Sequence, residues 1–138
     1  MKILVSSCLL GYNCKYNGGN NLNPKVVNYL KDKEIMEICP EIMAGMGTPR
    51  ACAEMVAGKI RDENGADVDA LYRKGVALAL RAIKDEEIDF AILQSRSPTC
   101  GVRTIYDGSF TGKLIAGQGL FAQALRDAGY RVMDAGDF

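Results

Sequence analysis

Histidine and tryptophan are absent from the 138 residues of this chain. Without an imidazole there is no Cys–His hydrolase and no metal site built on imidazole nitrogen. An excess of either charge is also lacking, because 17 Lys and Arg balance 17 Asp and Glu. The chain therefore carries no net field for tracking a phosphate backbone, and a small neutral partner is favoured over nucleic acid. No apolar run approaches the roughly 20 residues that span a bilayer. The opening MKILVSSCLLG has one Lys, a short apolar stretch and no small-residue cleavage site, so it is expected to form a first strand rather than a secretory signal. An odd cysteine count of 5 without close pairs is unlike a secreted disulfide framework or a zinc site, and a reducing cytoplasm is the expected location.

What the chain does have is well-placed sulfur. Its size and 48% hydrophobic content suit one domain spanning residues 1–138. Cys8 in VSSCLLG, Cys39 in EICPE and Cys100 in SRSPTCG each stand where a predicted strand breaks into a Gly- or Pro-rich loop. A parallel α/β sheet gathers the carboxyl ends of its strands along one edge, so residues far apart in sequence can meet there. Four thiolates saturate a cubane iron–sulfur cluster, whereas three leave one iron open to water or substrate. Cys52 is expected to be a buried structural thiol, and so is Cys14, which also qualifies as a spare ligand or neighbour of the site. From spacing alone, an iron–sulfur centre, a redox thiol pair and inert core cysteines all stand open.

Lys2 to Ser7 predicts the first strand, and Gly11 to Asn21 a loop of turn formers. Asn23–Pro24 predicts a helix cap and first helical residue, with Val26, Val27 and Leu30 inward. A second strand follows at about Ile35 to Cys39, then a loop or single helical turn over Pro40 to Pro49. Glu54 to Arg61, with a turn at Glu63–Asn64–Gly65, has strand character. Asp69 is the expected cap of the clearest helix, which runs to about Glu87 with Leu71, Gly75, Leu78, Ala79, Ala82 and Ile83 as its apolar stripe. Ile88 to Leu93 predicts a strand covered on both faces. After a Gly- and Thr-rich segment, Gln118 to Ala128 predicts a helix with Leu120, Phe121, Ala124 and Leu125 inward, ended by Gly129, and Tyr130 to Asp134 a last strand. This order predicts a Rossmann-like, doubly wound α/β domain with a mostly parallel sheet. Neither a Walker loop nor a dinucleotide fingerprint occurs, which disfavours nucleotide hydrolysis and hydride transfer.

The succession Val5-Ser6-Ser7-Cys8-Leu9-Leu10-Gly11, Cys14-Lys15-Tyr16-Asn17-Gly18-Gly19, Cys39-Pro40-Glu41, Pro49-Arg50 and Ser97-Pro98-Thr99-Cys100-Gly101 resembles the ordered motifs of the bacterial thiouracil desulfidases. The resemblance covers essentially the whole chain, and the combination of SSCLLG, CPE and SPTCG is far more specific than any one piece. It implies a 4Fe-4S cluster held by Cys8, Cys39 and Cys100, with the fourth iron free for the sulfur of a thiolated pyrimidine. This chain departs from the family pattern at Asn17, where Asp is usual, at Ala51-Cys52, where Pro is usual, and at Thr99, where Ser is usual.

A thiocarbonyl sulfur is soft and suits iron in a sulfur-rich sphere, where iron would act as a Lewis acid while water attacks the ring carbon without net electron transfer. In the absence of His, Glu41 is the nearest candidate proton acceptor in sequence, although a loop carboxylate capping a turn is as common. Ser7 and Ser97 are candidates to orient water or substrate, or simply to bond backbone amides. Lys15 and Arg50 are candidates to meet ring carbonyls, cluster charge or a phosphate, and Tyr16 to stack on a pyrimidine; surface solvation and packing are their ordinary roles. Two other functions compete: an iron–sulfur electron carrier or sensor, which would need Cys14 as a fourth ligand, and a protein handling sulfur on tRNA thiouridine, which the flat charge balance disfavours.

Overall fold

The computed structural model describes residues 2–138. Its centre is a four-stranded parallel sheet of β1 (Lys2–Ser6), β2 (Glu34–Ile38), β5 (Phe90–Leu93) and β8 (Val132–Asp134), in the order β2-β1-β5-β8. β1 pairs with β2 from Lys2↔Glu34 to Ser6↔Ile38 and with β5 from Ile3↔Phe90 to Val5↔Ile92. The chain steps from β1 outward to β2 and then returns past β1 to β5 and β8. That reversal is the switch point at which doubly wound sheets bind ligands.

The alternation of side chains explains why both faces are covered. Leu4, Ala91 and Leu93 point into one cluster with Val76, Ala79 and Ile83 of α3 (Asp69–Ile83) and Phe121 and Leu125 of α4 (Leu120–Asp127). Ile3, Val5, Phe90 and Ile92 point the other way, onto Leu9, Val26 of α1 (Pro24–Tyr29), Leu30 and Ala135. Each such fully buried aliphatic or Phe side chain contributes about 1.5–3 kcal/mol from burial. Asn23 caps α1 through its side chain, with Pro24 at the first helical position, as its sequence predicts.

Two hairpins lie outside the sheet. β3 (Ala53–Val56) pairs with β4 (Lys59–Asp62), and β6 (Thr104–Tyr106) with β7 (Leu114–Ala116). The first hairpin turns at Ala57–Gly58, both with positive φ, and the predicted Asn64–Gly65 turn follows β4 instead. The second hairpin lies within the Gly- and Thr-rich segment, where strands of three residues are too short to show alternation.

The helix beginning at Asp69 differs from expectation in three respects. Asp69 does not cap it: its Oδ1 accepts the amide of Ile60 at 3.0 Å, and Oδ2 takes Arg73 Nε at 2.6 Å. The buried stripe is Tyr72, Gly75, Val76, Ala79 and Ile83, while Leu71 and Ala82 face solvent. Two adjacent apolar stripes are available, and packing of Tyr72 against Ala53 and Ile60 selects the second. The helix ends at Ile83 rather than near Glu87, because Asp85, Glu86 and Glu87 would set negative charge at its negative end.

α2 (Pro40–Met43), one turn long, packs on α3 where the approach is closest. A Cβ on Gly75 would come within 2.1 Å of the Pro40 carbonyl oxygen. In an exposed helix, Gly→Ala gains about 1 kcal/mol. Here Gly75→Ala is expected to cost about 1–3 kcal/mol by overpacking, read as a lowered urea midpoint. An unchanged or raised midpoint would show that α2 does not depend on this contact.

Candidate metal centre

Three neighbouring strands carry the three motif cysteines. Cys8 lies in the 3-10 turn Ser7–Leu10 that leaves β1, Cys39 directly follows β2 and precedes α2, and Cys100 lies in the loop after β5. All three line one cavity of about 500 Å³. Ser7, Lys15, Tyr16, Glu41, Arg50 and Ser97 line it too, so every residue singled out from the sequence for this site is brought to the same cavity. Cys100 packs with the α3/α4 cluster and Cys8 against the opposite one, so sulfur reaches this edge of the sheet from both of its faces.

The local structure around each sulfur is fixed by backbone hydrogen bonds. Ser97 Oγ accepts the amides of Thr99 at 3.0 Å and Cys100 at 3.1 Å, a tight loop that presents the Cys100 thiol at 6% exposure. The Cys8 carbonyl accepts the amides of Gly11 and Asn21, tying the first loop back onto its turn. Asn17 Oδ1 accepts the Gly19 amide at 2.9 Å, a turn contact that an Asp carboxylate would make equally well. Arg50 is drawn inward: its Nη2 donates to the Cys14 carbonyl at 3.0 Å and stands 3.7 Å from Glu41 Oε2. The two side chains are only 15% and 13% exposed. Glu41 Oε2 also accepts the Cys39 thiol at 3.4 Å.

Cys14 has a larger place here than its sequence context indicated. It is buried and lines the same cavity as Cys8 and Cys39. Hydrogen bonding from Cys14 lowers the Cys8 thiol to about 7, against the opposing effect of burial. The Cys14 thiol itself is pushed up, first by its bond to Cys39 and then by its bond to Cys8, both of which its ionisation would weaken. Burial, reinforced by the charge of Glu41, raises the Cys100 thiol. Cys52 lines the cavity as well, its thiol raised by burial and by Glu54.

The donor set fits a polynuclear iron–sulfur group. Among the described residues no three of His, Cys, Asp and Glu close around a point where one ion would sit. Sulfur brought to one cavity from three strand ends is the donor chemistry of iron–sulfur clusters, in which each ligand holds its own iron. Three polar atoms of this region, Glu41 Oε1, Arg50 Nε and Thr99 Oγ1, are buried without a hydrogen-bond partner. Buried groups of this kind are normally satisfied, so their clustering here marks a place prepared for something else.

Among the wall residues that sequence reasoning missed are Glu54, Tyr72, Tyr106 and Phe110. Three come from the hairpins or their tips and Tyr72 from the reassigned face of α3. The available signal was Gly-Ser-Phe-Thr-Gly, an aromatic residue flanked by turn formers at positions 108–112.

Comparison with known proteins agrees with this geometry. Residues 3–137 match the family model of 2-thiouracil desulfurase. A Bacillus subtilis (strain 168) protein, the uncharacterized YbbK, is 40% identical over 141 residues, covering 95% of this chain and 93% of its own length. The solved structure of the [4Fe-4S]-dependent thiouracil desulfidase TudS superposes with a TM-score of 0.91 at 35% identity, covering 99% of this chain and 92% of TudS.

The thiolate is the reactive form of cysteine, so a lowered thiol is alkylated from lower pH. In metal-free protein, iodoacetamide is expected to label Cys8 with a midpoint at about 7, and Cys14→Ala to move that midpoint up toward the ordinary 9.0. Cys100 is expected to stay unlabelled until the protein unfolds. Peptide mass mapping over a pH series reads all three; a Cys8 midpoint indifferent to Cys14→Ala would contradict the hydrogen bond.

Proposed function

Because this chain belongs to the 2-thiouracil desulfurase family, we propose that it hydrolyses a thiolated pyrimidine such as thiouracil to the oxo base and hydrogen sulfide, with a [4Fe-4S] cluster held by Cys8, Cys39 and Cys100. The observation that carries this ligand set is the lining of one cavity by three sulfurs from the carboxyl ends of three neighbouring parallel strands. A volume of about 500 Å³ suits a small molecule, and the substrate is read as a free thiobase-sized compound. Among the described residues no helix is long and apolar enough to cross a membrane.

When bound, a cluster with three protein ligands supplies a soft Lewis acid for a thiocarbonyl sulfur. The remaining work falls to the chain. Glu41 takes a proton from water as its oxygen attacks the ring carbon, and returns a proton to the departing sulfur. Its two oxygens are suited to unequal duties: Oε2 is oriented by Arg50, and Oε1 has no partner. Arg50, first expected to bind substrate, is instead assigned to holding Glu41 and the Cys14 carbonyl. Ser97 spends both acceptor lone pairs on the loop amides, which leaves its hydroxyl proton to donate to water or substrate. Ser7, buried on the same wall, has the same capacity. Lys15 stands 5.8 Å from the Tyr16 ring centroid, and Tyr16, at 41% exposure, forms a half-open aromatic side of the cavity on which a pyrimidine would stack.

Anaerobically prepared protein supplied with thiouracil is expected to release sulfide and uracil in equal amounts. Ser replacement of Cys8, Cys39 or Cys100 is expected to remove iron. Glu41→Gln is expected to keep the cluster absorption and lose about 10²-fold or more in turnover, the usual share of a positioned general base. Unchanged turnover removes Glu41 from the reaction, and iron retained in all three Ser variants removes the ligand set.

A further inference from the structure

Of the carboxylates in the cavity wall, Glu54 and Glu63 are still without a role, and Glu54 is the buried one. Glu54, on β3, is 5% exposed and lines the cavity with Tyr106 and Phe110. Its Oε1 accepts two backbone amides from the tip between β6 and β7, Gly108 at 3.0 Å and Phe110 at 3.1 Å. The tip is seated tightly on β3. Gly108 has φ +92, and a Cβ there would come within 2.5 Å of the Met55 carbonyl oxygen. Phe110 has φ +58, a left-handed conformation that a bulky side chain adopts only when its surroundings impose it.

Oε1 alone accounts for this latch. Oε2 has no hydrogen-bond partner among the described residues, and unlike Glu41 Oε1 it keeps accessible surface, on a residue that lines the cavity. No Lys or Arg pairs with Glu54 among the described residues either. Holding two neutral amides requires only a neutral acceptor, such as the oxygen of Gln. A carboxylate as deeply buried as this one, without a cation, is costly unless its second oxygen meets a donor. In a cavity that takes a thiopyrimidine, the donors on offer are ring N–H groups; the oxo group is an acceptor and would be repelled.

We propose that Glu54 Oε2 accepts a ring N–H of the bound pyrimidine, with Tyr106 and Phe110 as aromatic walls, so that the site selects bases whose N–H at that position is free. The identity of the ligand rests on the desulfidase function above. The contact would also keep the ring protonated at that nitrogen, and so neutral and more open to attack by water than its anion. Substitution of the same nitrogen, by methyl or by sugar, removes the donor and sets bulk against the carboxylate.

The test is a binding cycle on anaerobically prepared, cluster-loaded protein with uracil, 1-methyluracil and 3-methyluracil. In wild type, one methyl form is expected to bind about tenfold to hundredfold more weakly than uracil, as for a hydrogen bond to a charged group. Glu54→Gln keeps an acceptor for the two tip amides but turns an N–H₂ toward the ring. It is expected to weaken uracil by a similar factor and to show no further loss with that same methyl form. Uracil binding unchanged in Glu54→Gln, or losses that simply multiply, would overturn the contact. If the variant does not fold, equal affinity of the wild type for uracil and both methyl forms overturns it as well. Uracil has no sulfur, so coupling without any sulfide release from thiouracil would reject the desulfuration and uphold the Glu54 contact. Sulfide release without coupling would do the reverse.

Discussion

Parallel pairing of β1 with β2 on one side and β5 on the other determines where three loops begin. Because the strands run in the same direction in register, their carboxyl ends lie side by side, and the first residues beyond them share one edge. Cys39 directly follows β2, Cys8 lies two residues past β1, and Cys100 returns to that edge through the Ser97 loop. A shift of β1 by one residue would exchange the sides taken by Ile3, Leu4 and Val5 and empty both cores at once, so the register is held by apolar burial on two faces. The chemistry of the site thus borrows its precision from packing that has no chemistry of its own.

Around the sulfurs, polar groups are arranged so that one residue's satisfaction leaves another's available. Arg50 bonds the Cys14 carbonyl and faces Glu41, which fixes one carboxylate oxygen and leaves the other unpaired. Cys14 lines the same cavity as Cys8 and Cys39 and lowers the Cys8 thiol. Glu54 repeats the pattern in the neighbouring wall, with one oxygen holding the hairpin tip and one without a partner. Division of each carboxylate between a structural and a free oxygen is a means of pre-positioning an acceptor in a cavity wall, where such groups act more strongly than in bulk water.

Much of this was legible in the sequence because it lies in local signals. Strand-ending cysteines, the Asn23–Pro24 start of α1 and the continuous apolar strand before Gln94 all report on their own neighbourhoods, and their elements formed as expected. The TudS superposition agrees with the doubly wound α/β fold. What the sequence concealed depends on tertiary choice. The face of α3 was decided by Tyr72 meeting Ala53 and Ile60, and Asp69 left its capping role for an unpaired amide on β4. Cys14 stays open in the sequence between core thiol, spare ligand and site neighbour, because nothing local distinguishes them. Glu54, Tyr106 and Phe110 were missed because two short hairpins, distant in sequence, meet only in the fold.

The most direct test of the central claim is anomalous X-ray scattering at the iron edge from crystals of anaerobically prepared protein. The account predicts iron in the cavity bonded to the sulfurs of Cys8, Cys39 and Cys100, with one iron lacking any protein ligand. A fourth bond from Cys14, or iron bound anywhere but among these three thiolates, would contradict it.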